Sequence, residues 1–181
     1  MTDRRSFLTT LGVGGALLLP GSELWADTKP GRAPSDVALL NMALELEHTA
    51  IFAYGLAAGS GLLSKGVLEV GGTFKASHET HRDALAAAVK ELKGSPIPAR
   101  KSYDLSAFDL KTEADVLRLA LFLEMKAANT YQKALAQFRH KRLLDAAGRI
   151  MGDEVSHAAV LRGALGKAPV GFYGQLDEVG F

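Results

Sequence analysis

The sequence predicts an all-α protein, a four-helix bundle built from two antiparallel hairpins joined by a long crossover. Three observations predict it. The segment Leu44 to Tyr54 recurs in altered form as Leu121 to Tyr131, so that Glu47 and Tyr54 are answered, at one common interval, by Glu124 and Tyr131. A second pair of segments, His78 to Leu85 and Glu154 to Leu161, matches at nearly the same interval, as expected of two related helix pairs. Finally, two of the three joints are brief, whereas the third, Gly94 to Lys111, carries Pro96 and Pro98 and has no helical period.

Taken in order, the first helix is expected over 36–58, with Ser35 as N-cap and Gly59-Ser60-Gly61 as its stop. The second is expected over 65–92, its opening turns weakened by Gly71-Gly72. The third begins near Thr112, where Thr112-Glu113-Ala114-Asp115 approximates a capping box, and is expected to continue to about Arg139. A basic joint, Arg139 to Arg142, leads into the fourth, which ends near Leu165 with Gly166 as stop. His140 in that joint reads as solvated. A second helix of ~28 residues is roughly 42 Å long, and 18 extended residues reach roughly 60 Å, so the crossover can run the whole bundle.

The termini read differently. Asp3-Arg4-Arg5-Ser6-Phe7-Leu8, the uncharged stretch Leu11 to Leu19 and a cleavage site after Ala26 have the form of an export signal. Paired arginines before Ser-Phe-Leu resemble the twin-arginine type, which implies export to the periplasm. Residues 1–26 are thus a signal peptide, 27–34 a Pro- and Gly-bearing linker, 35–166 the bundle and 167–181 an irregular tail. The tail offers Phe172, Tyr173 and Phe181 as anchors for the bundle or a protein partner.

Composition excludes several functions. A net charge of +1, unchanged by removal of two charges of each sign with the signal, points away from nucleic acid. With no cysteine there are no disulfides, thiolate metal sites or thiol nucleophiles. Any metal must be held by carboxylate and imidazole, which suits iron, manganese or zinc. No apolar run of the mature chain approaches the ~20 residues of a membrane span.

The chemistry lies on the helix faces. Seven residues are about two turns, so each repeated Glu shares a stripe with its Tyr. Around Glu47 the same-face neighbours are Leu40, Ala43, Leu44, Ala50 and Ile51, and around Glu124 they are Leu117, Ala120, Leu121, Ala127 and Ala128. Both carboxylates point into a core, where an ionised group needs a cation or an imidazole. Glu154 and His157, three apart, share a face, and so do His78 and His81. Glu79 falls one residue off that face, and Glu45 and His48 point about 100° or more away from Glu47. Tyr54 and Tyr131 read first as core residues with a hydroxyl to satisfy.

These residues resemble the ferritin-like superfamily over about 36–165, and among its branches the twin-arginine-exported bacterial ferritin-like proteins. The resemblance implies a metal site in which one Glu from each of two helices and a Glu-x-x-His from each of the others hold two ions. Glu47 and Glu124 match the single glutamates, Glu154 and His157 match one Glu-x-x-His, and His78-x-x-His81 occupies the other slot with His where Glu is expected. The implied ligand set is therefore Glu47, His78, His81, Glu124, Glu154 and His157, for two Fe ions, with Mn or Zn as alternatives. A neutral ligand at position 78 weakens one metal position, or biases it towards zinc or a single metal. The implied chemistry is oxidation of ferrous iron or reduction of oxygen or peroxide. The competing reading is a metal-free bundle serving as an interaction or structural module.

Overall fold

The computed structural model describes residues 35–169. The expected signal and linker, and most of the expected tail, lie outside these residues. Four helices follow in order: α1 Asp36–Gly59, α2 Lys65–Glu91, α3 Glu113–Leu135 and α4 Lys141–Ala164. Their starts follow from local chemistry. Ser35 Oγ accepts from the amide of Ala38 at 3.2 Å, and Thr112 and Asp115 form a full capping box at the head of α3. Gly166, at φ 69°, turns the chain out of α4.

Cross-helix bonds give the directions. Glu47 meets Tyr131 and Tyr54 meets Glu124, so α1 and α3 are antiparallel. His81 meets Asp153 and Glu91 meets Arg142, so α2 and α4 are antiparallel too. Ser64 donates its amide to Glu113, which places the heads of α2 and α3 at one end. The chain from 92 to 112 must therefore travel the length of the bundle, as the long crossover requires.

That crossover is a packed element. Tyr103, Leu105 and Phe108 are buried, and Leu105 and Phe108 pack against Ala53, Leu119 and Leu123. Asn41 donates to the Ser95 carbonyl and accepts from the Ile97 amide, both at 3.1 Å, while the His48 ring meets the Ile97 carbonyl at 3.3 Å. Glu45, only 2% exposed, faces Arg100 Nε at 2.6 Å. The groups that point away from Glu47 are therefore clasps for the crossover, and α1 is covered on nearly every side.

Two expectations need correction. The third helix ends at Leu135, not near Arg139, and the joint that follows is held where the Arg139 and His140 amides donate to Asp36. His140 is not simply solvated: its ring and amide, with the Arg139 amide, converge on the buried Asp36 carboxylate at the head of α1. Asp36 thus ties the α3–α4 joint to the first helix.

Two apolar layers fill the bundle. One includes Leu40, Leu44, Leu85, Val89, Tyr131 and Ile150; the other includes Ala50, Tyr54, Phe74, Leu121, Met125 and Leu161. Buried polar side chains occupy the level between them.

Candidate metal centre

All six residues singled out by helical spacing converge at that level. Glu47 on α1, His78 and His81 on α2, Glu124 on α3, and Glu154 and His157 on α4 are all buried. Their donor atoms fall into two groups, Glu47, His78, His81 and Glu154 in one and His78, Glu124, Glu154 and His157 in the other, with the atoms of each within 4.8 Å of one another. His78 and Glu154 belong to both.

The two halves mirror each other across the bundle. Tyr131 donates its hydroxyl to Glu47 Oε1 at 2.5 Å, and Tyr54 donates to Glu124 Oε1 at 2.5 Å. Each repeated Tyr therefore serves the other copy's Glu. Burial, and then the neighbouring carboxylate charge, raises both phenol pKa values well above the ordinary range, so the hydroxyls stay protonated donors.

His78 sits at the centre. Its Nδ1 lies 2.8 Å from Glu47 Oε2 and its Nε2 lies 3.2 Å from Glu124 Oε1. His157 Nδ1 is 3.3 Å from Glu124 Oε2 and 3.6 Å from Glu154 Oε2. His81 Nδ1 is 3.2 Å from Glu154 Oε1, without the alignment of a hydrogen bond, and 3.7 Å from Glu47 Oε2. Its other nitrogen meets Asp153 Oδ2 at 3.1 Å, which turns Nδ1 inward. The His157 ring is held by Phe74, stacked at 4.0 Å between centroids.

Asp153 and Phe74 escaped the sequence reading. Asp153 adjoins Glu154, and Phe74 precedes His78 by four residues and His81 by seven, so helical spacing places it on their face and could have found it. Glu79 points outward to Lys75 at 2.5 Å, as its position off the face implies.

The charges divide unevenly. Burial opposes a positive His78, but hydrogen bonds and charges from Glu124, Glu47 and Glu154 outweigh it and raise its pKa to about 11. Against the same opposing burial, the nearby Glu154 and Glu47 raise His81 to about 10, and Glu124 and Glu154 raise His157 to about 9. Burial also opposes the charges on Glu47 and Glu124, yet their histidine partners hold both below the ordinary carboxylate value. Glu154 differs: burial dominates and lifts it to about 7. Neither of its fully buried oxygens has an aligned hydrogen bond, the nearest imidazole nitrogen being 3.2 Å away, and a carboxylate so poorly satisfied at this depth is costly unless a proton or a cation serves it. The donor set of three carboxylates and three imidazoles fits iron, manganese or zinc.

A four-helix bundle with carboxylates and histidines converging at mid-height defines a class before any comparison. The model of the ferritin-like domain family matches residues 35–167, and the chain belongs to that family. Among solved structures, a crystal structure of a conserved hypothetical protein from Mycobacterium tuberculosis is similar in fold, with TM-score 0.67 and 23% identity over 74% of this chain and 92% of that chain. A search of curated proteins found no match.

Proposed function

We propose that this is an exported ferritin-like protein whose central cluster binds metal, with two iron ions as the preferred load and manganese or zinc as alternatives. The observation that carries the reading is Glu154: a fully buried carboxylate, common to both donor groups, ringed by imidazole nitrogens at 3.2–3.6 Å but with no aligned hydrogen bond on either oxygen. Glu47 and His81 would hold one ion, Glu124 and His157 the other, and Glu154 is the carboxylate placed to be shared. A neutral imidazole has one lone pair for a metal, so His78 completes only one of the two positions, which predicts unequal affinities. Bound iron would supply oxidation of ferrous iron coupled to reduction of oxygen or peroxide as the electron acceptor. Tyr54 and Tyr131 orient one oxygen of each single glutamate, and Asp153 and Phe74 fix the outer rings.

Metal that binds only the native state stabilises it by mass action. Purified protein stripped with chelator should therefore melt higher on addition of iron(II), manganese(II) or zinc(II). Glu154→Ala should abolish that rise, whereas Glu79→Ala should leave it nearly intact. No shift with any of the three ions would overturn the metal reading.

A second reading has its own support. His78 bridges Glu47 and Glu124, and three raised imidazoles face three carboxylates, so the cluster can neutralise itself without an ion. Under it, the bundle is a metal-free structural or interaction module. The same melting series separates the two.

Export to the periplasm is proposed from Arg4-Arg5-Ser6-Phe7-Leu8. Replacing both arginines by lysine should block periplasmic delivery; undiminished export would rule out the twin-arginine route.

A further inference from the structure

Beside the polar cluster, towards the end of the bundle where α1 and α4 finish and α2 and α3 begin, lies a cavity of about 230 Å³. It is larger than an engineered apolar cavity of about 150 Å³ that takes up benzene. Tyr54 and Phe74 line it and also touch the cluster, Tyr54 through Glu124 at 2.5 Å and Phe74 through the stacked His157 ring at 4.0 Å. They form the partition between the two spaces. At its rim Leu68, Val70 and Val160 are 38%, 40% and 50% exposed, an apolar edge that costs hydration and opens the cavity to solvent.

The lining dictates the ligand class. Among the described residues its only charged lining residue is Lys75, whose ammonium is held by Glu79 at 2.5 Å, and the Tyr54 hydroxyl is committed to Glu124. An anion would find no free cation there, and a polar molecule would leave its groups unpaired. We propose that this cavity is a binding site for a neutral, apolar small molecule, which it holds one side chain away from Glu124 and His157. The binding itself does not depend on metal, so the test uses protein stripped with chelator, and the two readings succeed or fail separately.

The probe is N-phenyl-1-naphthylamine, neutral and fluorescent in apolar surroundings, titrated into the full chain. Gly71→Leu and Ala120→Phe each place a large side chain in the lining. At position 71 a Cβ meets nothing nearer than Tyr54 Cδ1 at 3.8 Å, and Leu is the better helix former, so this variant keeps the fold. The expected result is saturable uptake by the native chain, weakened by at least about tenfold in both variants with no loss of melting temperature in Gly71→Leu. Absence of uptake would overturn the proposal, as would uptake that both fillings leave unchanged. A third arm uses the full chain with Phe172→Ser and Tyr173→Ser. Uptake by it, with none by the native chain, would assign the cavity to the chain's own tail and likewise overturn the small-molecule proposal.

Discussion

The crossed bonds of Tyr54 to Glu124 and Tyr131 to Glu47 show how single residues set this centre. Each hydroxyl fixes one oxygen of a buried carboxylate; on Glu47 the other oxygen faces the histidines, whereas on Glu124 both oxygens meet a histidine. Because the two bonds are related by the repeat, Tyr54→Phe and Tyr131→Phe should destabilise the protein by similar amounts, about 1–3 kcal/mol each in urea unfolding. Strongly unequal losses would mean that the halves are not equivalent. The six clustered residues were legible in the sequence because helical spacing alone places Glu47 with Tyr54, or Glu154 with His157, on one face. Their partners were not. Which Tyr serves which Glu depends on the antiparallel register of α1 against α3, and local spacing carries no information about that.

At the scale of elements, α1 and the crossover behave as one unit. Glu45, Asn41 and His48 clasp residues 95–100, which explains why a helix with polar groups on its outer side is nonetheless buried almost all round. Arg100→Ala should cost about 1–3 kcal/mol in urea unfolding by stranding the Glu45 carboxylate, and adding Glu45→Gln should restore part of the loss. No loss in the single variant would show that the clasp is idle. The α3–α4 joint hangs on Asp36. Burial opposes its charge, but hydrogen bonds from His140 and the Arg139 amide hold its pKa below the ordinary 3.8. A lowered folded value contributes stability that is in place above about pH 3.8 and is lost as pH falls through the folded pKa. The stability gap between the native chain and Asp36→Asn should accordingly shrink when pH is lowered from about 6 to about 2; a constant gap would contradict the role given to Asp36. This joint was misread from sequence because Phe138 keeps the helical period going, while the turn is set by Asp36, a hundred residues away. The α2 end holds a smaller strain: Lys93 takes φ 58°, the left-handed region where glycine is at ease. Lys93→Gly should stabilise by roughly 0.5–1 kcal/mol, and a lowered unfolding midpoint would contradict that account.

At the scale of the whole molecule, the long crossover lets two similar hairpins face each other, so that one inward Glu, or one pair of residues three apart, from every helix reaches a common level. This topology was legible from joint lengths and the internal repeat. The apolar cavity was not, since it arises where Gly66, Gly71 and Gly72 of α2 leave room against α3 and α4, and only packing reveals an unfilled space. The central claim is that the mid-bundle cluster is a metal centre. Its most direct test is anaerobic equilibrium dialysis of the stripped protein against iron(II), with bound metal counted per chain. The account predicts uptake that approaches two ions in two unequal steps, with one step lost in His81→Ala, the other in His157→Ala, and both weakened or lost in Glu154→Ala. A chain that retains no iron, or whose uptake is untouched by Glu154→Ala, would contradict it.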